Sequence, residues 1–137
     1  MDPNFALGHY ELGQALTQLR MHDQAIAEFR SAIALGGSRP VFMSNLAYAL
    51  AGSGRKSEAL RIVNGLVATQ DEHSPSHANV ALAHVGLGNH KEAMVWLEKA
   101  FQSRFHPAIL MRPAFDPLRI DPRFQELLRR LGLPSAR

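Results

Sequence analysis

A period of 34 residues constrains this chain more than any other feature. Leu12-Gly13 is followed by Ala25, Phe29 and Ala32. Thirty-four positions on stand Leu46-Ala47, Ala59, Val63 and Leu66, and after the same interval Val80-Ala81, Ala93, Leu97 and Ala100. Self-similarity at a fixed length of this size marks a stacked-repeat architecture. Two columns do not vary: Ala25, Ala59, Ala93 and Ala15, Ala49, Ala83. Small residues at fixed places let two helices approach closely, while large apolar columns fill the space beside them. The chain therefore divides into three copies of one helix pair, 6–39, 40–73 and 74–107, with 1–5 before them and a tail, 108–137, after them.

Local signals agree with helices. Ala6, Leu7, Tyr10, Leu12, Ala15, Leu16 and Leu19 have helical rather than alternating spacing, which predicts a first helix over 6–19. Arg20-Met21-His22 is the turn, and Asp23 is the expected cap of a second helix over 23–35, stopped by Gly36-Gly37. Pro40 suits the first turn of a third helix, 40–51, which breaks at Gly52-Ser53-Gly54 before a fourth, 56–69. Ser74-Pro75 reads as cap and early proline of a fifth helix, 75–87, and the sixth spans 90–103 after Gly88-Asn89. In the tail, His106-Pro107 and Arg112-Pro113 bracket a short apolar piece, Phe115 to Leu118 makes another turn, and Asp121-Pro122 opens a helix over 122–131, ended by Gly132.

The Leu-Gly pair, the small residue thirteen places later, the aromatic or aliphatic residue four further on and the Ala three after that resemble the tetratricopeptide repeat. The resemblance implies an all-α solenoid, three helix pairs in a right-handed superhelical array, and a non-catalytic protein-binding role. Departures from the family pattern are His9, Met43 and His77 in its Trp column, Leu16, Leu50 and His84 in its Tyr column, and Gly37 and Asp71 in its closing Pro column. Pro3 falls one period before Gly37, so Met1-Asp2-Pro3-Asn4 reads as a cut edge. Phe5 and Leu7 are then candidates for a face that packs on another helix and gives weak self-association. The phrase Phe115-Asp116-Pro117-Leu118-Arg119, Asp121-Pro122-Arg123-Phe124 and Leu131-Gly132-Leu133-Pro134 resembles the C-terminal ends of bacterial proteins whose repeats follow a signalling domain, such as class III nucleotide cyclases and winged-helix transcription regulators. Stacked repeats leave an open apolar end that needs covering, and residues 108–133 are assigned that role.

Composition limits the chemistry. There is no cysteine, which excludes disulfides and thiol chemistry, and no run of 18 apolar residues, so no membrane span is expected. The net charge of +3 is uneven: residues 1–103 carry eight Lys and Arg against nine acids, whereas 104–137 carry seven Arg against three. Such a charge argues poorly for nucleic acid. No cofactor is expected. His73, His77 and His84 have helix-compatible spacing, but His77 and His84 occupy core columns, and no metal site is expected. No nucleophile elbow or phosphate loop is present, and the chain is not expected to be an enzyme. Trp96 lies on the outer side of its helix by period and is expected to pack rather than to anchor a partner. The chain is read as cytoplasmic.

By the resemblance, the first helix of each pair lines a concave groove. The candidate partner-binding residues there are Leu7, Tyr10, Gln14, Asn45, Tyr48, Asn79 and Leu82. No Lys or Arg falls in these columns, so a clamp for a peptide's terminal carboxylate is not expected. The groove reads as neutral and partly apolar, suited to an amphipathic helix or extended segment of a protein or peptide partner, with the asparagines bonding its backbone. The alternative is that Tyr48 and Leu82 fill space between adjacent first helices.

Overall fold

The computed structural model describes residues 3–71, 74–103 and 107–134, with side chains from Phe5 onward. The described residues are helical, without strands. Three antiparallel pairs follow one another: α1 (Pro3–Gln18) with α2 (His22–Gly36), α3 (Pro40–Gly52) with α4 (Lys56–Ala68), and α5 (His77–Gly86) with α6 (His90–Gln102). Two 3-10 segments, Pro107–Met111 and Pro113–Leu118, lead to α7 (Pro122–Arg130).

The repeat columns account for the packing. Ala25, Ala59 and Ala93 have no exposed surface, and neither do Phe29, Val63 and Leu97 one turn on. The missing side chain of Gly13 makes room for its partner helix: a Cβ there would lie 2.6 Å from the ring of Phe29. Each pair turns through one left-handed residue at the same position of the repeat. In the second and third copies it is Gly54 (φ 91°) and Gly88 (φ 80°), and in the first it is Arg20 (φ 60°). Glycine adopts this conformation freely; a residue with a Cβ does so at a cost.

Helix starts differ from the sequence reading in three places. α1 begins at Pro3 rather than at residue 6. α2 begins at His22, with Met21 rather than Asp23 flanking it and no side-chain cap. α5 begins at His77, because Ser74 and Pro75 are used in a turn: Ser74 Oγ accepts from the Asp71 backbone N–H at 2.9 Å and donates to the Asp71 carboxylate. Asp121 does cap α7, accepting from the Arg123 backbone N–H at 2.8 Å.

The tail is part of the core. Leu110, Phe115, Leu118, Phe124, Leu127 and Leu128 are buried in one cluster with Val80, Leu82 and Leu97 of the last pair. Burying each large apolar side chain is worth about 1.5–3 kcal/mol. Arg119 fixes the segment's shape: its Nη2 donates to the carbonyls of Leu110 and Arg112, and its Nε to Asp116 at 2.7 Å. Trp96 is 7% exposed; its ring lies 5.4 Å from that of His77, and Lys99 Nζ stands over it at 4.2 Å.

Candidate functional site

A cavity of about 590 Å³ opens between the first helices of the three pairs and the tail. α1 supplies Gln14, Thr17 and Gln18, α3 supplies Asn45 and Tyr48, and α5 supplies Val85 and Gly86. The fourth wall is the segment from Arg112 to Pro117. α3 and α5 come close here because residue 86 is glycine: a Cβ on it would sit 2.9 Å from Tyr48 Cα.

Arg112 organises the polar side. Its Nη2 donates to Asn45 Oδ1 at 2.8 Å, while Asn45 Nδ2 donates to the Val41 carbonyl at 2.7 Å. The donors around Gln14 fix its amide orientation, so that its oxygen accepts from Tyr10 OH at 2.9 Å and from Arg112 Nε and Nη2 at 3.2 and 2.6 Å. Burial pushes the Arg112 guanidinium below its usual range, and the Tyr10 and Tyr48 hydroxyls partly offset this. Burial likewise raises both tyrosines above the usual phenol range, against the pull of Arg112. The cationic form of Arg112 is thus held, partly buried, by neutral acceptors.

The seven sequence candidates separate into three groups. Gln14, Asn45 and Tyr48 meet at the cavity. Tyr10 stands behind Gln14, with its ring against Phe42 and Phe29 at 5.3 and 6.2 Å, so its body belongs to the core and only its hydroxyl joins the polar network. Leu7, Asn79 and Leu82 do not line the cavity. Leu82 has no exposed surface, because the tail packs over α5 and takes Leu82 into its cluster. Asn79 instead accepts from Ser44 Oγ at 3.5 Å.

The expectation of a neutral groove fails for the same reason. Arg112 and Arg20 both line the cavity, and neither belongs to the concave columns. Arg112 comes from a segment without repeat register, and Arg20 from the turn. The Arg112-Pro113 step is the one sequence signal that this arginine is held in a fixed backbone.

His77 and His84 are both buried. His77 Nε2 is bonded to the Asp71 carbonyl and its Nδ1 to Ser103 Oγ. His73 lies outside the described residues. No helix among those described is long and apolar enough to cross a membrane.

The family model of the tetratricopeptide repeat matches residues 6–35 and 74–106. These two segments are tetratricopeptide repeats. The middle pair, α3 and α4, lies between the matched copies and keeps their register, with Ala47, Ala59 and Val63 fully buried. No curated protein and no solved structure matches the chain. Tetratricopeptide repeats generally mediate protein–protein interaction and are non-catalytic modules.

Proposed function

We propose that the chain is the protein-binding repeat region of a larger bacterial signalling or regulatory protein, cytoplasmic and without catalytic activity of its own. It holds a peptide or helix in the cavity between its first helices. Residues 6–39, 40–73 and 74–107 act as three repeats and 108–133 as their cap. The observation that carries this reading is the cavity itself: it is built from the repeats' first helices, is walled by a tail packed into the core, and presents Tyr48 half-buried between Gln14 and Gly86. A half-exposed aromatic body with polar groups at its rim is suited to gripping a segment by apolar contact and orienting it by hydrogen bonds.

The test is obstruction. Thr17→Trp places a large ring into the cavity from α1 without touching the core. Peptides selected on the wild-type chain from a random library should lose binding to this variant while its melting temperature stays within a few degrees. Full binding by the folded variant places the partner site elsewhere.

A second reading, self-association without a separate ligand, has its own support. Leu12 is 49% exposed, whereas Leu46 and Val80 in the same column are 6% and 0% exposed. Phe5, seven residues earlier on α1, and Leu19, just past its end, are also exposed. Helix pairs cover that column in the later copies, so a second copy covering it here would bury apolar surface. Sedimentation distinguishes the two readings: Leu12→Lys should abolish any dimer and leave peptide binding unchanged.

A further inference from the structure

We infer that the partner segment of the cavity is acidic, and that an Asp or Glu side chain of it pairs with Arg112 and Arg20. The inference rests on the groove reading above and adds the chemistry of the ligand.

Three observations support it independently. Arg112 is partly buried, and the groups that hold its guanidinium are the neutral oxygens of Gln14 and Asn45. Six other arginines bond an acid, Arg30 with Glu58, Arg55 with Asp23, Arg119 with Asp116, Arg123 with Asp121, Arg129 with Glu126 and Arg130 with Glu98, while Arg39 and Arg61 form no ion pair among the described residues. The acid that does line the cavity, Asp116, is already bonded to Arg119 at 2.7 Å. Charges drawn out of water are normally paired, and with Nε and Nη2 given to Gln14 and Asn45, Nη1 is the end of the Arg112 guanidinium left to meet a carboxylate. A carboxylate entering from solvent supplies that pairing.

The second observation is the conformation of Arg20. It stands at φ 60° in the column where the other two copies have glycine, Gly54 and Gly88. A left-handed residue with a Cβ is strained relative to glycine, and such strain concentrates at functional sites. The arginine that carries this strain lines the same cavity as Arg112, and both act electrostatically on Tyr48.

The third is rigidity. Arg119 holds the carbonyl of Arg112 at 3.2 Å, and Leu110 and Phe115 on either side are fully buried. Arg112 is therefore preorganised, and a partner need not pay to order it.

The experiment selects peptides displayed internally, without a free terminal carboxylate, on wild-type chain and on variants at both arginines. Arg20→Gly restores the residue its column uses in the other copies, so it should fold at least as stably as wild type. Arg112→Gln removes the second charge, and Arg112→Lys keeps it. Wild-type binders should be enriched in Asp and Glu over the input library. Changing the acid of a selected peptide to its amide should weaken binding about tenfold or more, with the loss shrinking in 1 M NaCl. Arg20→Gly should reduce the preference for acid over amide, Arg112→Gln should abolish it, and Arg112→Lys should retain part of it. Binders without acids, or equal binding of acid and amide forms, overturn the inference. If such acid-free binders are still lost on Thr17→Trp, the groove reading survives and this one falls. If no peptide is enriched, or all are indifferent to Thr17→Trp, both fall.

Discussion

Arg112 donates to Asn45 Oδ1 at 2.8 Å across 67 positions of the chain, joining a tail segment to the middle helix pair. Asn45 is 4% exposed, and its amide is also bonded to the Val41 carbonyl. A neutral side chain thus serves as the acceptor for a partly buried cation, and loss of that acceptor leaves the guanidinium with Gln14. Asn45→Ala should lower the unfolding free energy by about 2 kcal/mol, the scale of a hydrogen bond to a charged group. Urea denaturation checks this. A loss below a few tenths would mean that water replaces Asn45 at no cost.

The tail contributes core. Phe115 has no exposed surface and its ring stacks near Phe124 at 6.2 Å. Phe115→Ala should cost about 3–5 kcal/mol, the range for a buried phenylalanine. Truncation after Pro107 should lower the melting temperature much further, since it exposes Leu82 and Leu97 together. A truncated chain with an unchanged melting temperature would contradict the packing of the tail as a cap.

How much of this is legible in the sequence follows the repeat register. Ala25, Phe29 and Leu97 announce their burial through the period alone, because each must meet the same neighbour in every copy. Gln14, Asn45 and Tyr48 are reachable by the same argument from the concave columns. Leu82 and Arg112 are not. Both depend on where residues 107–118 lie, and that segment has prolines, no helical period and core contacts with α5 made at long range. The exposure of Leu12 beside the burial of Leu46 and Val80 is a different case: one column takes two environments, because among the described residues a preceding helix pair packs on that face of the second and third copies and none on that of the first.

Two glycines give opposite expectations. A Cβ added to Gly65 in α4 would meet nothing within 4 Å, so Gly65→Ala should stabilise by about 0.5–1 kcal/mol through helix propensity. A Cβ on Gly86 would meet Tyr48 Cα at 2.9 Å, a backbone atom that cannot step aside. Gly86→Ala should therefore destabilise by roughly 1–3 kcal/mol by forcing α3 from α5. Thermal melts of the two variants moving in the same direction would refute the close approach of these helices.

His84 makes stability depend on pH. It is buried in the column of Leu16 and Leu50, its Nδ1 has no hydrogen-bond partner among the described residues, and burial lowers its pKa from 6.5, with Glu92 acting weakly the other way. The unfolded chain then binds the proton more tightly than the folded one. The stability tied to neutral His84 is present above pH 6.5 and is lost as the pH falls below it. His84→Leu, the residue found one and two repeats earlier, should flatten the dependence of the melting temperature on pH below 6.5. An equal slope in wild type and variant would assign the pH dependence to another group.

The central claim is that the cavity between the first helices is where a partner segment sits. Amide chemical-shift mapping tests it most directly, with the ¹⁵N-labelled chain titrated by a peptide selected on it. The account predicts that the amides of Gln14, Asn45, Tyr48 and Gly86 shift together along one saturating curve, while those of Val67 and Val95 on the outer helices stay in place. Shifts confined to the outer helices, or to Phe5, Leu12 and Leu19, would contradict it.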